Sequence, residues 1–275
     1  MKPSVAPHPY REFEHAGWEC AANAYATTFE AATRPYGEVL LDAAGLKAGD
    51  DHLDVACGTG FVTELARERG AKSIGTDFSA AMLAEAVRLH PSARFEQADA
   101  EALPYFDNSF DIVTINFGVH HFPFPERAIA EARRVLRKGG RISFTVWAAP
   151  DEHALHAIAL EAVRGAGSAG AGLPTPPHGG LNTLAGCIRL LEAAQFKPVS
   201  DYCTLVRRTL LLGSVAELTH LIESGTVRLA SLLRSQPQAN RVAILRGLES
   251  AAARYQRDGH LEIPIVAVVA TGTAT

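Results

Sequence analysis

The run Leu53-Asp54-Val55-Ala56-Cys57-Gly58-Thr59-Gly60, followed by Ser73-Ile74-Gly75-Thr76-Asp77, has the residue types and order needed to hold a nucleoside. The apolar residues around Asp54 predict a buried parallel strand, and Phe61 to Arg69 predicts a helix opening straight after Gly60. Gly58 and Gly60 allow a sharp turn with no Cβ in the way, so a ligand can lie against peptide units and the helix N-terminus. Asp77 falls at the tip of a second short strand, where a carboxylate can accept both hydroxyls of a ribose. A dinucleotide fingerprint would require a third glycine three positions past Gly60. Thr63 stands there, which disfavours a nucleotide-dependent oxidoreductase.

Further segments follow in a consistent order: Gln97 to Pro104, Phe110 to Asn116, and Arg133 to Gly140 leading into a strand from Arg141 to Trp147. Over roughly residues 45 to 150 this pattern resembles the class I S-adenosylmethionine-dependent methyltransferases, in the group related to the ubiquinone and menaquinone C-methyltransferases. The resemblance implies a cofactor, S-adenosyl-L-methionine, leaving as S-adenosyl-L-homocysteine. It also implies a set of contacts. Asp54 would lie near the amino group of the methionine portion, with Gly58 and Gly60 passing beside it. Ala56 stands where the family often has Gly and narrows the pocket slightly. Phe78 and Met82 would supply apolar contact to adenine, and Asp99, next to Ala100 in the same loop, would face its exocyclic amine. Asn116 would end the fourth strand beside the reacting centre.

His120 and His121 follow Asn116 on the loop that in related enzymes borders donor and acceptor, and they are the catalytic candidates. A neutral imidazole, with an ordinary pKa of about 6.5, can take a proton from a hydroxyl, an amine or an acidic carbon. No third ligand is spaced to join them, so no metal is expected. Trp18 and Tyr25 are candidates to cover cofactor or acceptor, and His153, His156 and His178 read as surface residues.

Composition bounds the remaining possibilities. The chain has 275 residues, 47% of them hydrophobic, and a net charge of −4, which offers no basic face for nucleic acid or anionic lipid. No apolar run is long enough for a membrane span, and Met1 to Tyr10 lacks the apolar core of a signal peptide. Cys20, Cys57, Cys187 and Cys203 are scattered, as in a reducing cytoplasm.

The elements that must position these residues divide into three parts: an N-terminal helical cap over residues 1–44, a Rossmann-like core over 45–150, and a region over 151–275. In the last, helices near 151–164, 184–194, 215–223, 227–233 and 238–256 accompany strands near 196–205 and 261–271. The family resemblance makes this an α/β fold with a doubly wound, seven-stranded, mostly parallel sheet. The inserted helices would be a substrate lid, with the Gly/Pro-rich loop 165–180 as its hinge. The expected protein is a cytoplasmic monomer or homodimer that methylates O, N or C of a small-molecule acceptor. A protein that binds the cofactor without methylating is the alternative.

Overall fold

The computed structural model describes residues 8–166 and 172–275. Among these residues nine strands form one sheet: β1 (Asp51–Val55), β2 (Lys72–Asp77), β3 (Arg94–Gln97), β4 (Phe110–Asn116), β5 (Leu136–Trp147), β6 (Phe196–Pro198), β7 (Thr204–Leu212), β8 (Gln256–Arg257) and β9 (His260–Ala274). The order is β3-β2-β1-β4-β5-β9-β6. The first five strands pair in parallel, and β9 runs antiparallel to β5 and β6. This is the expected seven-stranded core with two additions. The stretch near 196–205 divides into β6 and the longer β7, and β7 and β8 both pair with an overlong β9.

Among the described residues the eleven α-helices are α1 (Pro9–Tyr25), α2 (Glu30–Thr33), α3 (Gly37–Ala44), α4 (Phe61–Glu68), α5 (Ala80–Leu89), α6 (Pro125–Val135), α7 (Ala154–Gly165), α8 (Leu184–Ala193), α9 (Val215–Gly225), α10 (Arg228–Arg234) and α11 (Gln238–Ala252). Local signals account for several of their ends. Pro9 opens α1 behind a His8 cap, Ser79 caps α5 by accepting from the Met82 N–H, and Gly45 ends α3 in the left-handed region. Among the described residues no helix is long and apolar enough to cross a membrane. Residues 1–7, and 167–171 of the expected hinge, lie outside the described residues.

Alternation along the strands gives the sheet two unlike faces. Leu53 and Val55 of β1, with Val113, Ile115 and Phe144, pack against α6 and α8. The residues between them form a buried polar chain on the α4 side. His52 bonds Ser73 and Thr114 at 2.8 Å each, and Asp54 accepts from Thr114 at 3.0 Å and from Thr63 of α4 at 2.8 Å. The inserted helices α7, α9, α10 and α11 share a third body of apolar side chains with β7, the outer half of β9, Phe29 and Tyr36. The region expected as a lid therefore has a substantial core of its own.

Burial holds His52 neutral and pushes its pKa down to about 3, against an ordinary value near 6.5. A depressed folded-state value means that the unfolded chain binds the extra proton. His52 therefore contributes its full stability above about pH 6.5 and loses roughly 1.4 kcal/mol per pH unit below that. His153 and His156, pushed down to about 2 and about 4, act in the same direction. The urea midpoint should thus fall steeply between pH 7 and pH 5, and His52→Gln should flatten the dependence. A midpoint constant over that range would contradict the burial of these rings.

Candidate active site

The carboxyl ends of β1, β2 and β4 open into one cavity, where ligands bind in open parallel sheets. It encloses about 870 Å³ of space between protein atoms, its mouth included. Its walls bring together Trp18, Tyr25, Ala56, Gly58, Asp77, Phe78, Met82, Asp99, Ala100, Asn116 and His121 among the sequence candidates.

Gly58 and Gly60 have different tasks. Both have positive φ, +53° and +85°. A Cβ built on Gly58 meets no protein atom within 4 Å, so its missing side chain leaves open space on the cavity wall. A Cβ on Gly60 would sit 2.5 Å from the Phe95 ring, behind the loop. Gly60 is therefore fixed by packing and does not line the cavity, unlike the expected second cradle glycine. Asp77 receives the Gly58 N–H and the Ser79 N–H, both at 2.9 Å, which tie the loop to the end of β2. Burial pushes its pKa up, while backbone N–H groups from Ser79, Gly58 and Phe78 pull it back.

Asp54 also departs from expectation. Its side chain points into the α4 layer, takes two threonine hydroxyls, and is absent from the cavity wall. Burial pushes it up to about 7. Its place is structural, fastening the first turn of α4 to β1 and β4. Asp99 does line the cavity, and both of its oxygens already have partners: Arg11 on one and the Glu101 N–H on the other. Arg11 reaches on to Glu101 at 2.6 Å and so latches α1 over the loop.

Ala56 and Phe117 hold left-handed backbone without being glycine, at φ +55° and +57°. Such positions cost roughly 1–2 kcal/mol for L-residues and persist where surroundings impose them. Phe117 is held by stacking on Trp147 at 3.9 Å and by its N–H bond to Thr145, whose hydroxyl also donates to Asn116. The Ala56 methyl in turn requires glycine at 118, where a Cβ would approach it to 2.7 Å.

The two loop histidines separate. His121 lines the cavity, and its Nδ1 lies 2.9 Å from Glu14 Oε2. His120 turns away from the cavity wall. Its Nδ1 is buried without a partner among the described residues, and burial holds it well below the ordinary imidazole range. His153 and His156 are not surface residues: His153 is 0% exposed, stacks on Trp147 at 4.5 Å and accepts the Val266 N–H, with His156 set edge-on against it. His178 is part-buried with Nε2 3.0 Å from the Phe122 carbonyl. No three described His, Cys, Asp or Glu side chains are grouped to hold a metal.

Residues 53–144 match the family model described as a methyltransferase domain. A demethylmenaquinone methyltransferase from Renibacterium salmoninarum is 42% identical over 110 residues, 40% of this chain and 46% of that protein. One from Thermus thermophilus is 44% identical over 108 residues, 37% of this chain and 49% of that protein. The chain thus spans about half the length of the curated relatives it matches. The likeness to a methyltransferase domain thus lies in residues 53–144, about a third of the chain. Solved structures extend the likeness of fold beyond the matched segment. The YcgJ protein of Bacillus subtilis has a TM-score of 0.56 at 19% identity, with 87% of this chain and 98% of that one covered. The [4+2]-cyclase SpnF has a TM-score of 0.51 at 22% identity, covering 87% and 80%.

Outside the matched segment, the wall residues that sequence reasoning missed come mainly from the N-terminal helix and the turn after it: Arg11, Glu14 through His121, Phe29 and Thr33. A signal was present. Arg11, Glu14, Trp18 and Tyr25 recur at spacings of three, four and seven, which is one helical face. All four lie on α1, which opens at Pro9.

Proposed function

We propose that this chain transfers a methyl group from S-adenosylmethionine to O, N or C of a small, partly apolar acceptor. The observation that carries the reading is the open side of Gly58 beside the Asp77 carboxylate, at the ends of β1 and β2. This is a cradle that any Cβ would fill. When bound there, the cofactor supplies a methyl already activated on a sulfonium. The protein's task is then to hold the two reactants in line, exclude water and take up a proton. Met82 and Phe78 would flank adenine, Asp77 would hold the ribose, and Asn116 lies on the way to the acceptor end. The curated relatives are named for demethylmenaquinone, and their similarity spans about 40% of this chain. The four cysteines are free thiols, which supports a cytoplasmic setting.

Calorimetric titration with S-adenosylmethionine, followed by mass spectrometry of a small-molecule extract incubated with the loaded protein, tests the reading. Binding with a product heavier by one methylene unit supports it. Binding without product would favour a non-methylating role, and no binding would remove both.

His121, on the cavity wall, is the proton acceptor in this reading, and His120 is a packing residue. His121→Ala should lower turnover by about 10² to 10⁴, the usual range of general-base assistance, with cofactor affinity changed less than about threefold. His120→Ala should cost far less. Equal turnover in both variants and wild type would mean that positioning alone suffices.

A further inference from the structure

Six rings line the acceptor end of the cavity in an unbroken series. His121 meets Trp18 edge-on at 5.0 Å, Trp18 meets Tyr25 at 5.8 Å, Tyr25 meets Phe29 at 6.1 Å, Phe29 meets Trp147 at 6.0 Å, and Trp147 stacks on Phe117. Such a wall offers flat faces and edges to another flat ring. The base among these rings is His121, whose Nε2 has no partner among the described residues while Nδ1 is taken by Glu14; the Tyr25 hydroxyl is held by Thr33. Glu14 is itself 1% exposed and also receives the Trp18 Nε1–H at 3.1 Å. Its Oε2 therefore fixes both a base and the first ring of the series.

The groups facing His121 from other elements are imidazoles: His120 beside it, His156 on α7 and His178 on the loop after α7. Burial lowers all three, so near neutrality they are uncharged. Glu14 on α1 is then the single carboxylate at this ring among the described contacts. A carboxylate on Nδ1 selects the tautomer with a free Nε2 lone pair and stabilises the imidazolium that forms when Nε2 takes a proton.

Resting on the reading of a methyl-donor site, we propose that the acceptor is a phenol, a planar aromatic ring bearing a hydroxyl, deprotonated by His121, with Glu14 as the positioning residue that sets the base. The O–H proton passes to His121 Nε2, and the electron pair left on the phenolate forms the new bond to the methyl carbon. The carbon–sulfur bond breaks with its electrons returning to sulfur, and the imidazolium later gives its proton to water. A hydroxyl acceptor requires such a base. An amine is already a nucleophile once neutral, and the ring wall presents no free carboxylate to hold it as a cation.

The test uses 4-nitrophenol, whose phenolate absorbs visible light, with protein saturated by S-adenosylhomocysteine and checked by calorimetry. At a pH where the free probe is mostly protonated, wild type should bind it with the phenolate fraction raised. His121→Ala should abolish the rise. Glu14→Gln, which keeps shape and one hydrogen bond, should reduce the phenol-to-imidazole proton transfer about tenfold while leaving S-adenosylhomocysteine affinity within threefold. A merely structural Glu14 would leave the phenolate fraction of the bound probe unmoved. Failure of the probe to bind, or an equal phenolate fraction in wild type, His121→Ala and buffer, overturns the proposal while the methyl-donor site stands. Failure of S-adenosylhomocysteine to bind removes both.

Discussion

Gly58→Val should fold and yet lose the thermal stabilisation that the cofactor gives. Two facts separate the effects. A Cβ at Gly58 meets no protein atom within 4 Å, so the added side chain strains only the backbone, at φ +53°. That strain is about 1–2 kcal/mol for an L-residue, more than the unfolded-state entropy that losing a glycine returns. The branched side chain would project into the space the cofactor's edge needs. In wild type, cofactor at a hundred times its dissociation constant should add about 2.7 kcal/mol, or roughly 5–10 °C in melting temperature. The variant should start a few degrees lower and gain nothing. Gly60→Val is the control with the opposite signature. Its Cβ would lie 2.5 Å from Phe95, so it should melt far lower with or without ligand. A cofactor shift in Gly58→Val equal to wild type would mean that the turn does not cradle the donor.

The sheet from β1 to β5 was legible because three of its strands end in turns with their own chemistry: glycines after β1, an acid ending β2, and Asn116 ending β4. Strand alternation was harder to read. His52 and Asp54 are polar residues in a strand buried on both faces, and nothing local reveals that Ser73, Thr63 and Thr114 will converge to satisfy them. Asp54 therefore looked like a ligand contact when its partners are within the fold. The division of labour between Gly58 and Gly60 was equally hidden, because it depends on Phe95, a neighbour brought in by β3. The ring-lined end of the cavity was least legible. Its wall draws on α1, Phe29, the loop after β4 and the end of β5, residues far apart in the chain that only the tertiary fold assembles. The histidines taken as surface residues failed for the same reason. His153 stands just before α7 and His156 in its first turn, and the Trp147 ring packs against both.

Asp77→Ala should weaken S-adenosylmethionine binding by 10² to 10⁴ and should do so by two routes. Two charge-assisted hydrogen bonds to the ribose, at roughly 1.5–3 kcal/mol each, would be lost directly. The same carboxylate also receives the Gly58 and Ser79 N–H groups, so its removal frees the glycine turn and the first residues before α5 from the end of β2. The second route distinguishes Asp77 from a residue that merely touches the ligand. Asp77→Asn keeps one oxygen acceptor and the shape of the side chain, but it must turn an N–H₂ either toward a backbone donor or toward the ribose. It should therefore bind at least tenfold more weakly than wild type and more tightly than Asp77→Ala. Calorimetry on the three proteins decides the matter, with hydrogen exchange at Gly58 and Ser79 reporting the loop. Equal dissociation constants in wild type and Asp77→Ala would take this carboxylate out of the site. Faster exchange with unchanged affinity would reduce it to a loop fastener.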